Sequence, residues 1–488
     1  MVSLRFHCVR FLRPGRDTPR WQSTVLACVT LVALSIAGGC GTGHGFSYDG
    51  DPGQAEQATL VAWAPAVEAM IVPPSDASPI QGLFLLDTGS PVSAVDLGFL
   101  ASQGLDTGIG SDPRLLSGYE IDAFGLHFFN RRLVAAALFS PSQPLDGIIG
   151  ADILDHFCLA LDDQAHTVTL ARTSDDVAAA SPVADSRSVS LEVAGGGIMI
   201  LPGDVRLSVP ATRLLVDVMV EGRTVTAVVD TGASAVLLGP DLAKDLMTDD
   251  PTRPRLDGLE VDTADGLADA SMIRVASLSV GTSVAHSLPC MVVQDAVAFQ
   301  SLEAELGRPV SLLLGDTFLR EFFVALDIPR QTMLLARYQS MTHLDPREFV
   351  FVGLSLRASG NEVVVDHVYP GKDAEAKGVR SGDVVMAIDD NTVTSVERAM
   401  DLVRAHDVGQ TAAFRFERNR ATFNADLLVE DLLPAYPAQK STPNRGDLDA
   451  DAHDGGSLWW QQHRLGGLVN VLGPFGLPPL VRSGSARP

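Results

Sequence analysis

The sequence predicts an all-β-dominated chain: two like halves, each a small β-barrel, then a β-sandwich module with short helices. Three observations predict this. Gly and Pro number 44 and 29 of 488 residues while aromatic residues make up only 6%, a mix suited to short strands and turns. A segment near residue 150 recurs near residue 315. From Glu348 the pattern changes to short apolar runs set between glycine-rich turns. The length alone implies about three domains.

The chain begins with a basic leader, Arg5, Arg10, Arg13, Arg16 and Arg20, followed by an apolar run from Val25 to Ala37 and then Gly38-Gly39-Cys40. A bilayer span needs about 20 residues, so this shorter run reads as a secretory signal peptide over residues 1–39. Cys40 behind small residues resembles a bacterial lipobox, with Ala37 where Leu is usual. The resemblance implies acylation of Cys40 and an exported chain, lipid-anchored to the membrane of the cell envelope. Residues 40–57 read as a tether. The net charge of -24 repels phosphate backbones, so nucleic acid is not an expected partner. Beyond the leader and Cys40 only Cys158 and Cys290 remain, and they either pair or stay as buried free thiols. No CxxC or His-Cys cluster points to a metal.

The repeat aligns Gly150–Arg172 with Gly315–Arg337 at a shift of 165, without gaps. Leu154/Leu319, Phe157/Phe322, Leu161/Leu326, Asp162/Asp327 and Leu170/Leu335 coincide. Each copy reads as a short helix, a strand, a tight turn and another strand. Upstream, Leu83-Phe84-Leu85-Leu86 runs into Asp87-Thr88-Gly89-Ser90, and Thr226-Ala227-Val228-Val229 into Asp230-Thr231-Gly232-Ala233. Each is a buried-type strand breaking into a loop. The halves span 58–172 and 195–340. Residues 173–194, rich in Ala, Ser and Asp, read as a linker.

On the two Asp-Thr-Gly loops and the apolar pairs ending in Gly150 and Gly315, residues 58–340 resemble the pepsin-like and retropepsin-like aspartic peptidases. The resemblance implies that Asp87 and Asp230 meet in one cleft and hydrolyse protein or peptide substrates without a cofactor or metal. Two carboxylates held close share one proton, so one serves as general base toward water and the other as general acid toward the carbonyl. Thr88 and Thr231 are expected to brace the loops against each other, and Gly89 and Gly232 to permit close approach. Ser90 is expected to donate to the outer oxygen of Asp87, which Ala233 cannot do for Asp230. Pro91 departs from the family's pattern. Candidate flaps are Ser117–Phe124, with Tyr119, and Asp265–Ile273. One chain supplies both halves, so a monomer is expected.

Residues 346–433 resemble bacterial PDZ domains, on Gly378-Val379-Arg380-Ser381-Gly382-Asp383-Val384-Val385-Met386-Ala387-Ile388-Asp389 and a helical pattern over Ser395–Ala405. The resemblance implies capture of a peptide ligand at the loop Phe351, Val352, Gly353 and Leu354. If that module recruits substrate, removing Arg347–Leu433 harms protein cleavage more than peptide cleavage. Residues 434–488 read as a disordered or loosely docked tail. A catalytically inactive envelope protein that holds peptides with the same fold and groove is the alternative function.

Overall fold

A computed structural model describes residues 46–61, 64–74, 78–105, 113–139, 144–180, 186–201, 205–263, 266–293 and 297–436. Cys40, the leader, Asp265 and the tail beyond Tyr436 lie outside them. The described residues from Asp49 to Tyr436 form one compact unit. It is built mostly of strands with short helices, and none of its described helices is long and apolar enough to cross a membrane.

The two halves repeat one strand pattern. In the first, Ile80–Asp87 runs parallel to Gly147–Gly150, which pairs antiparallel with Ala94–Asp96, which pairs parallel with Leu126–Ala136. In the second, Arg223–Val229, Leu312–Leu314, Val236–Leu238 and Ser283–Val293 pair in the same senses. Leu85, Leu86, Val229 and Leu314 are fully buried, as unbroken apolar runs require. Each strand leading into an Asp-Thr-Gly loop therefore ends beside a close-packed glycine. A Cβ on Gly150 would lie 2.5 Å from the backbone of Val92, which explains the glycine after each apolar pair.

The repeated segments meet across the lobes. Cys158–Asp162 pairs antiparallel with Phe322–Asp327, joining the halves into one six-stranded sheet. The described residues within 173–194, expected as a linker, carry secondary structure. They form helix Ser174–Ala180 and strands Ser186–Ser190 and Glu192–Ala194, which pair with Thr332–Arg337 and with Arg213–Val220. Edge strands draw on backbone hydrogen bonds and need little apolar patterning, so the composition resembled a loop. Next, hairpin Gly197–Leu201/Val205–Val209 packs Met199, Leu201, Leu207 and Val209 against Val92, Ala94 and Val134 of the first lobe. Cys158 and Cys290 are both buried and free.

The second lobe carries an added hairpin, Arg255–Thr263 with Gly266–Val280. Residues 266–273 of the second flap candidate lie in its second arm. Ser117–Phe124 lies mostly in Arg114–Ala123, which pairs with Ala64–Val72 and Leu126–Ala136 as Gly266–Val280 pairs with Arg213–Val220 and Ser283–Val293. Its turn at Phe124-Gly125 therefore matches the turn at Gly281-Thr282, not the end of the added hairpin. Alternating residues alone do not say which end of a strand faces a cleft.

The third module is a sheet in the order Leu354–Ser359, Glu362–Val368, Val384–Ile388, Thr411–Arg418, Ala421–Leu428, covered by helix Val396–Arg404. Ser395 caps that helix, accepting from Arg398 N at 3.1 Å, and Val396, Ala399, Met400 and Val403 are buried. No apolar boundary separates this module from the second lobe. Leu256, Leu259, Met272 and Met291 belong to the same core as Phe349, Phe351, Leu354 and Leu433. Arg274 Nε donates to Leu433 O at 2.8 Å, and Arg320 pairs with Glu348 at 3.0 Å.

Candidate active site

Asp87 and Asp230 close their strands at the point where the two lobes meet. The loops are locked by a reciprocal set of hydrogen bonds. Thr88 N donates to Thr231 Oγ1 and Thr231 N to Thr88 Oγ1, each at 3.1 Å. Thr88 Oγ1 donates to Val229 O at 3.1 Å, and Thr231 Oγ1 to Leu86 O at 2.7 Å. Both threonines are 1% exposed, so no water replaces these bonds. Thr88→Val leaves a buried N–H and a buried carbonyl short of partners. It is expected to lower the unfolding free energy by about 1–3 kcal/mol in urea titrations, whereas Thr88→Ser retains most of it.

The glycines set the spacing. A Cβ on Gly89 would lie 2.5 Å from the Asp230 carboxyl, and one on Gly232 2.5 Å from that of Asp87. Each carboxylate therefore sits over the other lobe's glycine. Asp230 Oδ1 accepts from Gly232 N at 3.0 Å and Ala233 N at 3.1 Å. Asp87 Oδ1 accepts from Ser90 N at 2.8 Å. Asp87 Oδ2 is buried and accepts no hydrogen bond from a protein donor. The Ser90 hydroxyl does not serve Asp87: it donates to Val92 O at 2.8 Å. Pro91, which has no N–H and a fixed φ, brings that carbonyl within reach.

The pair is 0% and 1% exposed. Burial pushes the Asp87 carboxyl well above the usual range, and the Asp230 charge pushes it further. Burial also raises Asp230, but Gly232 N–H, Arg213 and Asp87 pull it back to about 6. Two buried carboxyls in contact, one better solvated by N–H groups than the other, favour a single shared proton.

Arg213 was not legible as a site residue. Its side chain is 2% exposed, forks onto Glu305 and donates through Nη1 to Gly89 O in the opposite lobe's loop. Arg213 and Glu305 lie 92 residues apart with no local motif. The signal available was an Arg at the head of an apolar strand, Leu214-Leu215-Val216. Among the described residues no group of three or more His, Cys, Asp or Glu side chains is placed to hold a metal.

In the third module Phe351, Val352 and Leu354 are fully buried, and Gly353 takes φ +71. Among the described residues Leu354–Ser359 pairs only with Glu362–Val368, so no described strand occupies its other edge.

Residues 216–318 match the family model for aspartyl proteases, and residues 350–429 match that for the PDZ domain. Among solved structures the chain is similar to a retropepsin-like aspartic protease from Rickettsia conorii, at 17% identity over 31% of this chain and 99% of that one, with a TM-score of 0.22. It is also similar to the HtrA3 PDZ domain bound to a phage-derived ligand, at 13% identity over 17% of this chain and 85% of that one, with a TM-score of 0.15. The photosystem II D1 C-terminal processing protease matches at 26% identity over 17% of this chain, with a TM-score of 0.16, and the match spans only 23% of that protein. No curated protein matches the chain.

Proposed function

We propose that this chain, with its retropepsin-like aspartyl protease domain and its PDZ domain, is an aspartic endopeptidase acting on proteins or peptides in the bacterial cell envelope. The observation that carries the reading is the contact of Asp87 and Asp230 over loops tied by the reciprocal threonine bonds. Asp87, with a buried oxygen that no protein group donates to, holds the shared proton and donates it to the substrate carbonyl. Asp230, held by two backbone N–H groups, stays charged and takes a proton from the attacking water. The carbon–nitrogen bond then breaks as Asp230 passes that proton to the leaving nitrogen, while Asp87 recovers a proton from a hydroxyl of the tetrahedral intermediate and the carboxylic acid product forms. Both carboxyls are closed to solvent in this structure, so substrate entry requires neighbouring residues to move aside.

Purified protein from Gly41 onward is tested against a peptide library across pH 3–8. Internal cleavage is expected, with a bell-shaped pH dependence. Absence of cleavage at every pH would favour the peptide-binding reading instead.

The PDZ module contributes a peptide-binding edge, and Cys40 a lipid anchor. Cys40→Ser is expected to shift the protein from the membrane to the soluble fraction and to abolish incorporation of labelled palmitate. Unchanged fractionation and labelling would overturn the anchor.

A further inference from the structure

We infer that Arg213, held by Glu305, is a positioning residue that couples the two catalytic loops and biases the charge of the Asp87–Asp230 pair. The inference rests on the proposed proteolysis by that pair. Three observations carry it.

The first is placement. Arg213 heads the strand before the second catalytic strand, yet its Nη1 donates to Gly89 O, inside the first lobe's catalytic loop. Gly89 is also the residue on which the Asp230 carboxyl rests. The guanidinium therefore touches the backbone that sets the distance between the two carboxyls.

The second is asymmetry. Leu215 pairs with Val228 and Ala66 with Leu85, each two residues before its catalytic Asp. Counting back equally, the first-lobe counterpart of Arg213 is Ala64, also buried. A positive charge thus stands on one side of an otherwise repeated site.

The third is the charge environment. Arg213 draws both carboxyls toward ionisation, against their burial. Glu305 holds the guanidinium by two parallel bonds, 3.1 Å from Nε and 3.0 Å from Nη2, and Gly196 N donates to Glu305 Oε1 at 3.4 Å. Of the other charged groups around these elements, Asp217 on the same strand as Arg213 is exposed. Arg308 pairs with Glu192 at 2.9 Å, with both side chains partly exposed, and Glu303 accepts from Val310 N. Asp316, the buried carboxyl nearest in sequence to Gly315, answers to Asp163, Arg320 and Glu348. Arg213 is therefore the fixed positive charge that both carboxyls feel, and Glu305 is its counter-ion.

The two charges have opposite signs, so their removal has opposite effects. Without Arg213 both ionisations of the pair become harder. The pH–kcat/KM bell of Arg213→Met is expected to move up by about one pH unit. With Glu305→Gln the arginine acts uncompensated, and the bell moves down. The double variant Arg213→Met/Glu305→Gln returns toward the wild-type position and guards against a single variant that fails to fold. Arg213→Lys keeps the charge but loses the fork. Its bell stays in place while its rate falls.

A purely structural role would lower rates or melting temperatures without moving the bells in opposite directions. Shifts of the same sign, or none, overturn the inference. Carbon-13 NMR titration of aspartate-labelled protein, read against Asp87→Asn, measures the same shifts without turnover. A protein whose pair titrates in this pattern but cuts nothing sinks the proposed proteolysis and leaves the coupling standing.

Discussion

Asp87→Asn and Asp230→Asn are each expected to lower kcat/KM for a peptide substrate by about a thousandfold or more, because each removes one partner of the proposed acid–base pair. Neither variant is expected to lose stability. Both carboxyls are fully buried and raised by that burial, and the neutral amide relieves the cost of holding charge there. The expected result is therefore an inactive protein that melts at or above the wild-type temperature at neutral pH. Cleavage assays and thermal melts on the same samples check it. If either variant keeps more than about a tenth of the activity, the chain does not cut with a single two-Asp site.

Removal of residues 347–433 is the second change with a large expected effect, and it does not discriminate between substrates. The module shares one apolar core with the second lobe, so deletion exposes Leu256, Leu259, Met272 and Met291. Protein and short-peptide cleavage are expected to disappear together, with aggregation of the truncated chain. A milder probe is Phe351→Ala, which empties a fully buried aromatic site and is expected to cost about 3–5 kcal/mol. A shared core also predicts that this loss lowers the melting of the peptidase lobes in one cooperative transition. A truncated protein that stays soluble and cuts peptides at the full rate would separate the module from the lobe.

The parts legible in the sequence are those whose physics is local. An apolar strand breaking into Asp-Thr-Gly, a glycine that no Cβ can replace, and a helix with Val396, Ala399, Met400 and Val403 on one side are each contained in a few residues. The parts that escaped depend on partners far along the chain. The Ser90 hydroxyl was expected at Asp87, but it donates to Val92 O instead. Residues 186–190 read as linker because an edge strand is specified by the strand beside it. Arg213 meets Gly89 across 124 residues, and no spacing rule reaches that far. The fusion of the third module left a trace in the unbroken run Phe349-Val350-Phe351-Val352, too apolar for a free-standing edge and placed only nine residues after the second lobe's expected end at residue 340.

The crossed glycines have a consequence for inheritance. Gly89 clears space for Asp230, and Gly232 for Asp87. A substitution in either half of the gene therefore strikes the carboxylate encoded by the other half. Elsewhere the two repeated halves differ, as the hairpin Arg255–Val280 and the unequal charge at Arg213 and Ala64 illustrate. At these two glycines they are not free to differ. Selection sees the halves there as one object, and neither can drift without disabling its twin.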